Sequence, residues 1–345
     1  MPPLRHVRLG LLALLFALPG LATAAPAPDF KWGLVAYHVN KAGYRLLPSD
    51  LQRMADNGIE WIRVDFAWGQ IEPLQDEPFD WAYFDMVVEQ AEAHGIQVAG
   101  TLGNGYNTEQ RPVAPLWTQE LTNEDYVAQL DDYARATVAR YADRVDAWAL
   151  ENEVHLALPH AAVRWRTLQF LDTEFQDAIL VALSEAVRAH DPSAEVVLTA
   201  SAGFNVEAFM QRVGSRVDFD SIGLYTYLAP LFTVDAAGIA AQLAEQMQLV
   251  ADAAGGDRPV MIFETGYHTS RPLRTEARQV EYVEAISVAA RQAGATGLFL
   301  YQYLDNADER TEADQTFGLL RENRTAKPAW ARYGQMIRND GVAAD

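Results

Sequence analysis

The most constraining feature of this chain is a repeated order of segments. After residue 30, a short apolar run, a polar loop and an amphipathic helix follow one another again and again. The runs are WGLVAYH (32–38), EWIRVDF (60–66), IQVAG (96–100), VDAWALE (145–151), EVVLTA (195–200), DSIGLY (220–225), PVMIFE (259–264) and TGLFLYQ (296–302). They are continuously hydrophobic rather than alternating, which marks strands covered on both faces, as in parallel sheets. Helical periodicity fills the gaps. In 123–141, Tyr126, Val127, Leu130, Ala134, Val138 and Tyr141 share one face, and further helices are expected over 80–94, 168–190, 237–254 and 276–293. TNED (122–125) and SDLQ (49–52) read as capping boxes, and Gly58, Gly95 and Gly294 stand where helices should stop. Eight such units at roughly 40 residues each predict an α/β chain folded as a single (β/α)8 TIM barrel. The alternative, an open doubly wound sheet, would favour a glycine-rich phosphate loop after the first strand. None is present, and the lone GxG at 103–105 carries no weight for nucleotide binding.

The start of the chain is of another kind. Arg5 and Arg8 precede the apolar run LGLLALLFALPGL, and ATAA supplies small residues for cleavage. This reads as a signal peptide over 1–24, with the barrel over 25–345. A membrane anchor would need about 20 apolar residues, and this run is interrupted by Pro19 and Gly20, so no membrane anchor is expected after cleavage. A periplasmic or extracellular destination follows. The chain has no cysteine, which excludes disulfides, thiolate chemistry, cysteine metal sites and an N-terminal lipid anchor through cysteine. Stability must come from the core, and with 50% hydrophobic residues over 345 positions the chain can build a large one. The formal charge of −20 repels nucleic acid and anionic membranes as partners. A monomer is expected.

In such barrels the chemistry sits where strands end. The residues closing the runs are His38, Arg63 with Asp65, Asn104, Asn152 with Glu153, Tyr225, Glu264, and Tyr301 with Gln302. Glu153 follows the fourth run and Glu264 closes the seventh, so the two lie across the barrel mouth. Two carboxyl groups converging on one pocket suit glycosidic bond cleavage: one protonates the leaving oxygen, the other attacks or activates water. The bland alternative is a pair of strand-end glutamates in unrelated ion pairs.

Longer motifs carry a resemblance. WALENEV (148–154) resembles the fourth-strand signature of the clan A glycoside hydrolases, where an Asn-Glu pair ends the strand. PVMIFETGY (259–267) is similar to their seventh strand, EWIRVDFAWGQIEP (60–73) to the second, and GLFLYQYLDN (297–306) with TFGLLRENRTAKPAW (316–330) to the eighth strand and closing segment. The nearest flavour is family 39 and related bacterial exopolysaccharide hydrolases. The resemblance implies an exported, retaining β-glycoside hydrolase acting by double displacement on a poly- or oligosaccharide, with a carbohydrate substrate and no cofactor. It implies Glu153 as acid/base and Glu264 as nucleophile. Asn152 would bind the sugar hydroxyl beside the reacting carbon, Arg63 would hold the charge of Glu264, and Tyr225 would donate to its carboxylate. Two departures stand out. Val154 replaces a common proline. Glu151 stands where relatives carry an aromatic or apolar residue; on a strand of period two it would share a face with Glu153. It is the true acid, a partner that tunes Glu153, or a buried hydrogen-bonding or ion-pairing residue.

Sugars pack their C–H faces on aromatic rings. Trp68, Tyr106, Trp117, Trp165, Tyr227, Tyr267 and Tyr303 are the candidates, two or three of which should line a cleft, whereas Trp32, Trp81 and Trp148 read as core. His38, Asn104 and Tyr301 are further candidate substrate contacts. His155 and His160 lie just beyond Glu153, but no spacing typical of metal ligands appears and no metal is expected. Two other functions fit the same residues: a catalytically inactive polysaccharide-binding barrel assisting glycan export, and a transglycosylase sharing the covalent intermediate.

Overall fold

A computed structural model describes residues 30–36, 45–75, 77–103, 114–156, 170–203, 205–228, 236–270, 272–307 and 311–342. The expected signal peptide, His38 and Asn104 lie outside the described residues, as do Tyr106, His160 and Trp165.

Every apolar run forms a strand. These are β1 (Lys31–Val35), β2 (Trp61–Asp65), β3 (Gln97–Leu102), β4 (Ala147–Leu150), β5 (Glu195–Ser201), β6 (Ser221–Tyr225), β7 (Val260–Thr265) and β8 (Gly297–Leu300). Each pairs in parallel with the next, and β1 pairs with β8, so the sheet closes into the expected eight-stranded barrel. The helices on the outside are α1 (Pro48–Asp56), α2 (Trp68–Ile71), α3 (Ala82–Ala93), α4 (Asn123–Tyr141), α5 (Thr173–His190), α6 (Val206–Val213), α7 (Ala236–Ala253), α8 (Glu276–Gln292) and α9 (Pro328–Arg338).

Local chemistry sets the helix starts. Thr122 caps α4 by accepting from the Asp125 N–H, Thr275 caps α8 the same way through Arg278, and Asp172 caps α5 through Glu174 and Phe175. The Asp172 cap is why α5 begins later than the periodicity from 168 suggests. The start of α1 also differs from expectation. Ser49 is not its cap; Pro48 stands in the first turn, where its fixed φ suits a helix and its missing N–H costs nothing. The Asp50 carboxylate reaches back to the Leu47 N–H at 2.9 Å. Three short or terminal helices, α2, α6 and α9, were not expected. In α6 the buried residues Val206, Phe209, Met210 and Val213 still follow helical spacing.

Two layers of apolar packing result. Outward-facing strand residues such as Ile62, Val64, Val98, Trp148, Leu150, Leu198 and Ile222 pack with the helices. Inward-facing Val35, Trp61, Ala99, Ala147, Ala149, Val197, Tyr225, Met261, Phe263 and Phe299 fill the barrel itself, so its interior is a packed core and the site is confined to the mouth. Tyr333 on α9 donates to the carbonyls of Gly33 (2.7 Å) and Leu298 (3.2 Å), fastening this helix across the β1–β8 seam. Trp32 and Trp148 are buried and Trp81 is half-buried against the same core.

Candidate active site

Arg63 organises the mouth. It lies in β2 beside Val35 of β1 and Ala99 of β3, so its parity points it into the barrel. Its side chain is 1% exposed. Nη1 donates to Glu264 Oε2 at 2.6 Å, Nη2 to Asn152 Oδ1 at 2.7 Å and Nε to Thr101 Oγ1 at 3.2 Å. Asp65 Oδ1 lies 3.8 Å away. The guanidinium sits over the rings of Tyr225 (4.8 Å) and Phe263 (5.1 Å). Burial works against its charge, but Tyr225, Glu264 and Asp65, with the hydrogen bond to Glu264, outweigh burial and raise its pKa. A guanidinium suits this place because its planar fork can hold two partners at once, as a lysine ammonium does not.

Glu264 reaches the mouth by a bulge. Leu224 pairs with Ile262 and Tyr225 with Glu264, so β7 carries one extra residue at this point. Strict alternation from Met261 and Phe263, which face inward, would turn residue 264 away. The bulge re-aims it. Its second oxygen, Oε1, accepts from the Tyr227 hydroxyl at 2.6 Å. The donor expected here was Tyr225, and the structure corrects that. The Tyr225 ring is buried beneath Arg63, and its hydroxyl makes no hydrogen bond. Tyr227 lies two residues on, on the same face but one layer nearer solvent, level with the carboxylate. Desolvation, then the charge of Glu264, push the Tyr227 phenol well above its usual range, so it stays protonated and donates.

The end of β4 is the second half of the site. The strand stops at Leu150, and both Glu151 (φ 56°) and Glu153 (φ 54°) adopt left-handed backbone, an uncommon choice that clusters at functional sites. The strand geometry that would place the two glutamates on one face therefore ends before either of them. Glu151 is fully buried and accepts from the Asn152 N–H at 3.2 Å. Its carboxylate lies over Gly103 at the end of β3. A Cβ there would come within 2.6 Å of Glu151 Oε1, and Gly103 itself has φ +92°, so glycine is required on both counts. Glu151 also acts electrostatically on Tyr133 of α4, behind the strand. Glu153, half-buried, accepts a hydrogen bond from Ser201 Oγ at the end of β5. Desolvation dominates the raised pKa of Tyr225, with Arg63 opposing, and the charges of Glu264 and Glu153 both add to it. The carboxylates of the fourth and seventh strands thus act on the same rings, Tyr225 and Tyr227.

One wall of the mouth is aromatic. Tyr227, 43% exposed, meets Phe317 (5.5 Å between centroids) and Tyr301 (6.4 Å); Tyr301 meets Phe317 at 5.4 Å, and His268 lies 5.3 Å from Phe317. The other described candidates for sugar stacking are placed elsewhere. Trp68 is fully buried, stacked on Tyr133 and bonded through Nε1 to Glu72 at 2.8 Å; it belongs to the core because its helix α2 turns the ring inward. Tyr267 and Tyr303 are buried as well, and Trp117 packs edge-on against Trp68. Ser201 is a site residue that sequence reasoning missed, although it continues the inward parity of Val197 and Thr199 on β5. His155 stacks on Phe209 at 4.7 Å, with Nε2 3.3 Å from the Ser201 carbonyl oxygen. Burial lowers its pKa to about 4, so it is neutral. Among the described residues no cluster of acidic and histidine side chains is arranged to hold a metal ion, and no helix is long and apolar enough to cross a membrane.

Comparison with known proteins adds to this geometry. Residues 36–129 match the glycoside hydrolase family 42 model, described as β-galactosidase. A 6-phospho-β-glucosidase from Dickeya chrysanthemi is 28% identical over 122 residues, which is 33% of this chain and 25% of that protein. A thermophilic β-amylase from Thermoanaerobacterium thermosulfurigenes is 24% identical over 117 residues, 32% of this chain and 21% of that protein. The matches thus span about a quarter of these relatives' length. Among solved structures, GH5_18 from Streptomyces cattleya in complex with Manβ1-4GlcNAc superposes with a TM-score of 0.73 at 18% identity, covering 90% of this chain and 81% of that one. A family 1 β-glucosidase from Thermotoga maritima gives 0.70 at 14% identity over 92% and 99%. A family 39 glycoside hydrolase from Bacteroides cellulosilyticus gives 0.61 at 19% identity over 90% and 64%. At these identities the likeness is one of fold.

Proposed function

We propose that this chain, which resembles the clan A glycoside hydrolases in its barrel and in its second-strand segment, is an exported β-glycoside hydrolase that cleaves a poly- or oligosaccharide with retention at the anomeric carbon. The observation that carries the reading is the Arg63 fork, which holds Glu264 from β7 and Asn152 from the end of β4 in one constellation. Glu264 is the nucleophile. Both its oxygens are held, by Arg63 and Tyr227, so its charge is fixed in direction before substrate arrives. Glu153 is the acid/base. In the first step Glu264 attacks the anomeric carbon, the glycosidic C–O bond breaks, and the Glu153 proton passes to the leaving oxygen. In the second, Glu153 takes a proton from water as that water displaces Glu264. Asn152 gives its amide oxygen to Arg63, which leaves its N–H donors for a sugar hydroxyl. Tyr301 and Tyr227 offer ring surface to a sugar face, and Phe263, Tyr225 and Phe299 beneath exclude water. The basic, apolar and small-residue order of the first 24 residues supports export to the periplasm or medium.

The test is a hydrolysis screen over β-linked glucans, mannans, galactans and N-acetylglucosamine-containing glycans, run beside Glu153→Gln and Glu264→Gln. The proposal expects turnover by the wild type, its loss in Glu264→Gln, and a product that keeps the β configuration. An inverted product, or undiminished turnover in Glu264→Gln, contradicts it. Binding without turnover on every glycan would instead indicate a non-catalytic polysaccharide-binding barrel, and transfer to added acceptor sugars in place of water a transglycosylase.

A further inference from the structure

A second cavity lies beside the mouth, at the carboxyl ends of β4 and β5. It measures about 480 Å³, within the size range of ligand pockets, and its lining includes His155, Leu171, Ala208, Phe209 and Arg212. The catalytic constellation does not use it. His155 is 7% exposed, yet its Nδ1 has no hydrogen-bond partner. The other ring nitrogen faces the Ser201 carbonyl oxygen, an acceptor, so Nε2 must carry the hydrogen. Nδ1 is then a bare acceptor, and leaving a buried acceptor unsatisfied costs free energy that a donor from a ligand would recover.

The rest of the lining limits what that donor belongs to. Arg212 is the cation in the lining, and its guanidinium is engaged by Asp177, which Arg216 also pairs, by Gln176 Oε1 (2.6 Å) and by the Thr173 carbonyl (2.6 Å), so few of its N–H donors are left to bind an anion. The chain carries −20 overall, which further disfavours one. Leu171, Ala208 and Phe209 give apolar wall. A neutral ligand with hydroxyl donors on one edge and C–H faces elsewhere fits this set. From this cavity and the unpartnered, buried Nδ1 of the histidine in its lining, we infer that the pocket is an accessory subsite for a sugar unit of the glycan chain, separate from the bond being cleaved and lying near Glu153. The inference rests on the glycosidase reading for its choice of ligand. The subsite is linked to the acid through Ser201: His155 bonds its carbonyl oxygen, and its hydroxyl holds Glu153.

The experiment titrates histidine-¹⁵N-labelled full-length protein with β-linked disaccharides and tetrasaccharides of glucose, mannose, galactose and N-acetylglucosamine, following the His155 ring nitrogens by NMR. It is repeated with Ala208→Trp, an exposed position whose new ring plugs the cavity. The expected result is a saturable shift of His155 Nδ1 for at least one tetrasaccharide, abolished by Ala208→Trp. Hydrolysis of that tetrasaccharide should then show KM raised about tenfold, with cleavage of the matching aryl monosaccharide unchanged. No shift with any probe, or a shift that persists in Ala208→Trp, overturns the subsite and leaves the pocket to water. The two readings fail separately. The NMR arm needs no turnover, so a protein that binds but never cleaves refutes the glycosidase and keeps the subsite.

Discussion

Replacing Tyr227 by phenylalanine removes one hydroxyl and little else, because the ring is 43% exposed at the mouth and keeps its contact with Phe317. The hydroxyl donates to Glu264 Oε1 at 2.6 Å. A hydrogen bond to a charged group contributes about 1.5–3 kcal/mol, and the exposure places this one at the lower end. Its effect on the two chemical steps is unequal. In the first, the carboxylate begins charged and loses charge towards the transition state, so the hydroxyl stabilises the starting state at least as well. In the second, the carboxylate begins as a neutral ester and regains charge, so the hydroxyl favours the transition state. With roughly half the charge developed, about 1 kcal/mol is lost from the second step alone, a slowing of about 5- to 10-fold. Rapid-quench kinetics on an activated aryl glycoside should show a burst of phenol and an accumulating glycosyl-protein in Tyr227→Phe, with kcat down and kcat/KM little changed. If the first step slows as much as the second, Tyr227 positions the carboxylate rather than receiving its charge, and the reasoning fails.

Three other expectations follow from particular contacts. Glu153→Gln should slow cleavage of natural glycosides about 10²- to 10⁴-fold while sparing aryl glycosides with good leaving groups; Glu151→Gln should cost far less on either substrate, which steady-state kinetics on the pair will decide. Lys327→Met should destabilise the fold by about 3–5 kcal/mol in urea titrations. It strands Asp305, which the buried Lys327 ammonium holds at 2.8 Å while also bonding Thr269 and the Thr316 carbonyl. His155 has a folded pKa of about 4, lowered chiefly by burial, against 6.5 unfolded. Below pH 6.5 the unfolded chain therefore takes a proton the folded chain refuses. Stability is full above pH 6.5 and falls as pH drops towards 4, by roughly 3 kcal/mol at most. His155→Phe should flatten that part of the urea-midpoint profile, and an unchanged slope would contradict the buried neutral imidazole.

Much of this was legible in the sequence because a parallel barrel writes its strands as continuous apolar runs. All eight runs formed strands in order, and Arg63 is aimed inward by simple parity from Trp61. What parity cannot express is a break in regularity. The bulge in β7 turns Glu264 to the mouth, and the left-handed backbone at Glu151 and Glu153 lays the first carboxylate, buried, over Gly103. Height along the axis was equally hidden. Tyr225 and Tyr227 share a face, but only the higher one reaches the carboxylate, and the lower lies under Arg63. Trp68 was misplaced because the short helix that buries it is too brief to announce itself by periodicity. Ser201 was overlooked because β5 runs one residue past its last apolar position.

Retaining cleavage by this site requires Glu264 to attack the sugar from the place where Arg63 and Tyr227 hold it. Exposure to an activated 2-deoxy-2-fluoro-β-glycoside of a sugar the protein hydrolyses, followed by proteolysis and mass spectrometry, asks this directly. One glycosyl group esterified to Glu264, with activity lost in proportion to labelling, is the predicted outcome. A label on Glu153, Glu151 or any other side chain would contradict the assignment.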